Sequence, residues 1–382
     1  MSQQKKFPPF SLSRLLKTVF DPTPGERICI LIDLKDPRGV KNFDFLRDSN
    51  LMIQQYAHDI FYQGLKKNVM KELGLVGGDL FAYPITGGSN LDMADESFDS
   101  TGCPLSLSKD IYPNYDIILC ISTFSATAPL TAFAKKYHFR GATLHGINQV
   151  ILDTGLAVDY NEVSREAERL RLGMTRVDNV EIDFKVKGRL LSLKVALGKQ
   201  EAQKSHGIVR GKHPDVANLP AGEIYYVPTD AWGHFPMKYE DGTLADLEVK
   251  GGRVIGISLM AGRAATIEEH KTKIKEDPAT GELGELGFGT QVLPFSGSDI
   301  QDEKILGTFH LATGRSDHLG GHLTPDKFKI ARNATHDDIL FASQKTPEIE
   351  VPQVRMSRDG QTKILIEHYQ PAAYIKSLLD SD

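Results

Sequence analysis

The sequence predicts an α/β N-terminal domain with a mainly parallel sheet, followed by an α+β domain whose strands are mostly antiparallel. Three observations predict it. Short apolar runs alternate with helix-length segments through the first half, the pattern of a parallel sheet with helices on its faces. From "NVEIDFKVKG" (179–188) onward the period changes to short runs of alternating apolar and polar residues, as in half-buried antiparallel strands. The chain of 382 residues also exceeds what one hydrophobic core usually supports. The change of period, rather than any obvious linker, places the boundary between 180 and 190, giving domains 1–185 and 186–382.

In chain order, "RICILIDL" (27–34) reads as a buried strand bounded by Pro-Gly and by Asp-Pro-Arg-Gly. A helix follows from about Asn50 to Leu73 and stops at Gly74. "DLFAYPI" (79–85) and "YDIILCIS" (115–122) are further strands. "ATAPLTAFAKKY" (126–137) is a short helix before the strand "GATLHGI" (141–147). A helix from Tyr160 to Leu172 leads into the second half, where "LLSLKVAL", "EIYYVP" and "LADLEVKGGRVIGISL" are strands. The last of these is a hairpin turning at Gly251-Gly252. A helix rich in Glu and Lys (267–276) precedes a glycine-rich region, 281–322. No Gly-x-Gly-x-x-Gly opens a helix after the first strand, so nothing supports a dinucleotide cofactor.

Composition narrows the function classes. The net charge is -5, against the basic face of a nucleic-acid protein. No apolar stretch approaches the roughly 20 residues needed to span a bilayer. "MSQQKKFPPFSLSRLL" lacks the continuous apolar segment of a signal peptide. Cys29, Cys103 and Cys120 lie far apart with no Cys-x-x-Cys pair, which suits a reducing cytoplasm without disulfides.

The candidate chemistry lies in the second half, which holds nine of the twelve histidines beyond residue 200. Four stretches set His or Glu beside glycine-punctuated strand ends: "NLPAGEIYYVP" (218–228), "GELGELGFGTQ" (281–291), "LGTFHLATGRSDHLGGHL" (306–323) and "ATHDDILF" (334–341). Each also has a bland meaning. Glu223 follows a turn, where an exposed acid is routine. Glu282 and Glu285 are spaced as a solvated pair on a helix. His310, between Phe309 and Leu311, reads as a hydrogen-bonded core histidine. If a strand has begun by Thr335, His336 and Asp338 share one of its faces and Asp337 takes the other. Taken together, imidazoles and carboxylates recur as they do around zinc, cobalt, manganese or non-haem iron. This half has no thiolate, which removes a Cys-rich structural zinc site.

The segments "NLPAGEIYYVP", "LGELGFGTQ", "DEKILGTFHLATG" and "THDD" resemble, in order and approximate spacing, the metallopeptidase family of the thermophilic leucyl aminopeptidases (aminopeptidase T and aminopeptidase S). The similarity covers roughly residues 215–345 and is greatest to the aminopeptidase-T-like branch, where a Gly-Gly pair such as Gly320-Gly321 follows the His-bearing strand. The resemblance implies metal ligands at Glu223, Glu285, His310, His336 and Asp338, with one carboxylate bridging two divalent ions (Zn, Co or Mn). It implies a two-domain homodimer that hydrolyses the N-terminal bond of a peptide or small amide. Two ions would acidify a bridging water and hold the oxyanion of the tetrahedral intermediate. The family carries a tyrosine shortly after the histidine that matches His310, whereas here the position falls at or near Asp317. His318 or Arg315 is then the candidate for transition-state stabilisation, and Glu282 for a proton shuttle. Ring-cleaving dioxygenases of the 2,5-dihydroxypyridine type look similar in the same motifs. They imply one iron(II) on a triad such as His310, His336 and Asp338. A metal-binding homologue without turnover is the third reading.

Overall fold

The structure is a computed structural model that describes residues 6–380. The first five residues of the N-terminal stretch read for a leader lie outside that range. The chain divides into two compact units. One comprises 1–164, 206–221 and 293–301, and the other 165–205, 222–292 and 302–382.

The first unit is built on strands β1 (Arg27–Leu34), β2 (Val76–Pro84), β3 (Glu96–Asp99), β4 (Pro104–Ser106), β5 (Ile117–Ser122), β6 (Arg140–His145) and the later β10 (Val216–Asn218). Their order is β10-β6-β5-β1-β2-β3-β4. Pairing is parallel from β10 through β2, while β3 and β4 form an antiparallel margin. β5 is buried along its whole length, as expected of a strand covered on both faces. The helical stretch after β1 runs from Met52 to Leu73, partly as π turns. It closes at Gly74, whose φ of 68° suits a residue without Cβ.

The second unit contains two antiparallel sheets. The larger has the order β14-β13-β12-β8-β7-β18-β19-β20, with β7 (Asn179–Val186), β8 (Arg189–Ala196), β12 (Asp230–Lys238), β13 (Leu244–Lys250), β14 (Arg253–Ala261), β18 (Ile349–Arg358), β19 (Gln361–Glu367) and β20 (Gln370–Pro371). The smaller has the order β17-β16-β15-β11-β9, with β9 (Gln203–Ser205), β11 (Glu223–Tyr226), β15 (Leu283–Gly289), β16 (Phe309–Gly314) and β17 (His336–Phe341). One apolar cluster takes residues from both sheets, with the rings of Phe184, Phe309 and Phe341 in mutual contact. The α/β unit and the strand-rich unit are thus of the classes the sequence predicts.

Two expectations are corrected. The division comes at 164/165, earlier than 185, because Leu170 and Met174 of the helix Tyr160–Met174 already pack in the second core. The chain also returns to the first unit twice, through 206–221, which carries β10, and through 293–301, and the composition of neither betrays it. Glu282 and Glu285 are not on a helix: Leu283–Gly289 is a strand with all seven residues buried. The i, i+3 spacing suits either element, and pairing to β11 and β16 decides it. Among the described residues, no helix is long and apolar enough to cross a membrane.

Candidate metal centre

The smaller sheet has two chemically different faces, assigned by strand alternation. Ile224 and Tyr226, Leu286 and Phe288, Phe309 and Leu311, and Ile339 and Phe341 belong to the core. The alternate positions, Glu223, Glu285, His310, His336 and Asp338, therefore share the opposite face across four neighbouring strands. Each has, on at least one neighbouring strand, an opposite residue with little or no side chain. Glu223 pairs with Gly289, His310 with Gly287, His336 with Gly314, and Ala312 pairs with both Glu285 and Asp338. These small partners leave room for five long polar groups on one sheet face. The case is sharpest at Gly287, where an added Cβ would lie 2.2 Å from Cε1 of His310. Gly287→Ala is expected to displace this imidazole and to weaken metal binding about 10- to 100-fold, the range for lost ligand orientation. Titration with Co(II), alongside a far-ultraviolet circular dichroism spectrum that stays unchanged, checks this.

Glu285 lies between the two histidines. Its Oε1 is 3.4 Å from Nε2 of His310, and its Oε2 is 2.9 Å from Nε2 of His336. His336 Nε2 also lies 3.2 Å from Oδ1 of Asp338. On its other side, Nδ1 of His336 donates to the backbone carbonyl of Arg315 at 2.6 Å. That bond leaves Nε2 as the nitrogen that could serve a metal, the arrangement found around metal-bound histidines. Burial disfavours charge on both imidazoles, but the carboxylates outweigh it. Glu285 and its neighbours raise His310 to about 10, and Asp338 and Glu285 hold His336 well above its usual range. Against the same burial, the histidines hold Glu285 and Asp338 below the ordinary carboxylate range. A proton on each Nε2 thus stands where a cation would bind.

The donor chemistry fits a divalent ion. Among the described residues, three groups bring one donor atom each within 4.8 Å of one another: Glu223–Glu285–His310, Glu285–His336–Asp338 and Glu303–His310–Asp338. Glu285 is common to the first two, and no group contains both histidines. Oε2 of Glu223 and Nδ1 of His310 are buried without a hydrogen-bond partner, an unmet demand that buried polar atoms rarely leave. Asp338 is 32% exposed and Asp337 turns away to Lys273 at 3.0 Å, so the two aspartates have different surroundings.

Glu303 and Lys304, part of the quoted "DEK", were not among the residues singled out in the sequence. Lys304 is 1% exposed, and its Nζ donates to Glu223 Oε1 at 2.7 Å and to Glu303 Oε1 at 2.5 Å. Burial raises Glu303 to about 8, while the two carboxylates more than offset burial to raise Lys304. The only sequence signal was a charged pair beside a metal-motif histidine. Arg315 spends its guanidinium on Asp317, with Nε 2.7 Å from Oδ1. The ring of His318 meets that of His336 edge-on with centroids 5.0 Å apart, and burial lowers its pKa. Glu282 is tied to Arg253 at 2.8 Å and to His322 at 2.7 Å.

A cavity of about 330 Å³ reaches Asp338 and is lined in part by Met237, Tyr239, His270, Lys273 and Asp337. Tyr239 Oη and His270 Nδ1 are hydrogen-bonded at 2.7 Å. Burial, aided by Lys273, lowers the His270 pKa from 6.5 to about 4. The unfolded chain therefore binds the proton more readily, and stability present above pH 6.5 is lost as pH falls towards 4. About 1–3 kcal/mol is expected to disappear over that window in the wild type. His270→Gln should flatten this part of the curve, as urea unfolding at several pH values measures.

Comparison with protein-family models gives no match, and comparison with curated proteins gives none either. Among solved structures, the chain is similar to the 2,5-dihydroxypyridine dioxygenase of Pseudomonas putida KT2440. The TM-score is 0.61, over 95% of this chain and 97% of that one, at 13% sequence identity. At that identity the likeness is one of fold.

Proposed function

We propose that this chain is a metal-dependent enzyme of the mononuclear non-haem iron type, a ring-cleaving dioxygenase acting on a dihydroxylated aromatic ring. The observation that carries the reading is the compact set of one imidazole and two carboxylates, His336, Glu285 and Asp338, with the second imidazole, His310, on the other oxygen of Glu285. Mixed imidazole and carboxylate donors suit a non-haem iron(II) that must keep positions open for dioxygen and substrate. The whole-chain likeness to a dihydroxypyridine dioxygenase supports the same class. A bound iron(II) supplies the redox chemistry by which dioxygen reacts with an aromatic diol.

The protein's own contribution is positional. Arg315 C=O aims His336, and Gly287 leaves His310 its space. His318, whose ring meets that of His336 edge-on and whose pKa burial lowers, is the candidate to accept a proton from a ring hydroxyl. Asp338 is the most exposed of the five donors.

A second reading is supported by the way each histidine takes a different oxygen of Glu285. Such a carboxylate can bridge two ions, as in the aminopeptidase-type hydrolase the motifs suggest. The test is anaerobic loading with Fe(II), followed by oxygen uptake on 2,5-dihydroxypyridine and related diols. Parallel assays use amino-acid amides with Zn(II), Co(II) or Mn(II). Oxygen uptake with the iron-loaded protein is the expected result. Amide hydrolysis without oxygen uptake would overturn it in favour of the hydrolase.

A further inference from the structure

We propose that Lys304 is a built-in cation that takes the place of a second metal ion, so that the cluster binds one divalent ion rather than two. The inference rests on the reading of this cluster as a metal centre.

The backbone of Lys304 is pinned beside the end of β15: its carbonyl accepts from Gln291 N at 2.8 Å, and Gln291 O accepts from Leu306 N at 2.7 Å. Gly289 makes this approach feasible, since a Cβ there would lie 2.2 Å from Ile305 O and 2.6 Å from Lys304 C. Thr308 closes the turn with bonds from Oγ1 to the carbonyls of Asp302 and Ile305. The lysine therefore enters the cluster from a fixed point, and at 1% exposure its ammonium has no route to solvent.

Its partners are selective. Glu223 and Glu303 each belong to one of the two groups that contain His310. Among the described contacts, none joins Lys304 to Glu285 or Asp338, the carboxylates of the His336 group. The ammonium thus occupies a carboxylate in both His310 groups and leaves the His336 group to a metal. A divalent ion on Glu223 would share that carboxylate with a buried ammonium, and like charges at such range in a low-dielectric interior repel strongly. An isolated buried ammonium would be equally unfavourable, so Lys304 and its two glutamates specify one another.

Co(II) titration of the metal-free full-length protein, with metal content by mass spectrometry, tests this. The wild type is expected to take up about one ion per chain, and Lys304→Ala about two, since the deletion frees both space and two carboxylates. Unfolding of Lys304→Ala should occur at lower temperature than the wild type in chelator and recover on adding Co(II). Two ions in the wild type, or one in a folded Lys304→Ala, would overturn the proposal while leaving the metal centre intact. No ion in the wild type would overturn the metal centre itself. If Lys304→Ala does not fold, Glu223→Gln decides. Uptake of one ion with affinity within about threefold of wild type supports the proposal, and a loss of tenfold or more, as for a ligand or its close support, overturns it.

Discussion

Asp338→Ala is expected to remove most metal binding, at least 100-fold in affinity, while Asp337→Ala leaves it within about threefold. The two residues are neighbours of identical chemistry, so the contrast isolates geometry. Asp338 lies 3.2 Å from Nε2 of His336, on the face shared by Glu285. Asp337 is on the other face, paired with Lys273 at 3.0 Å and accepting from Thr335 Oγ1 at 2.9 Å. Its loss removes a half-exposed ion pair, for which about 0–1 kcal/mol of stability is the usual scale. Titration calorimetry with Co(II) on both variants, with thermal unfolding as the control, reads both quantities. Equal affinities would show that strand alternation does not sort these residues.

Glu285→Gln carries the second large effect, because one side chain serves both histidines. In the metal-free protein the substitution leaves two buried imidazoles without their shared counter-charge. Breaking a buried pair from one side costs about 3–5 kcal/mol. Part of that loss is avoided as the histidines release their protons, so about 2–4 kcal/mol of destabilisation is expected near pH 7. Metal affinity should fall by at least 100-fold, as for loss of a direct ligand. Chemical denaturation measures the first, and competition with a chromophoric chelator the second. A variant as stable as the wild type that still binds metal would show that Glu285 is a bystander.

How much of this was legible in the sequence differs from residue to residue. The pairing of His336 with Asp338 could be read from three letters, since alternation along a strand is local. The same rule set His310 opposite to Phe309 and Leu311, and the structure confirms those two in the core. For Glu285, spacing alone left helix and strand open, and cross-strand pairing to Ala312 resolved it. The glycines at 287, 289 and 314 read only as punctuation of strand ends, yet each stands opposite a donor.

By itself, the sequence determined the two fold classes, most strand positions and the face shared by His336 and Asp338, because hydrophobic periodicity is a property of neighbouring residues. Tertiary structure alone decided which strands become neighbours, so that Glu223, Glu285, His310, His336 and Asp338 meet across four of them. It also decided that Glu303 and Lys304 fold into the cluster from a turn. A lysine's burial depends on distant carboxylates that offset its desolvation, and no local pattern in "DEK" records their presence.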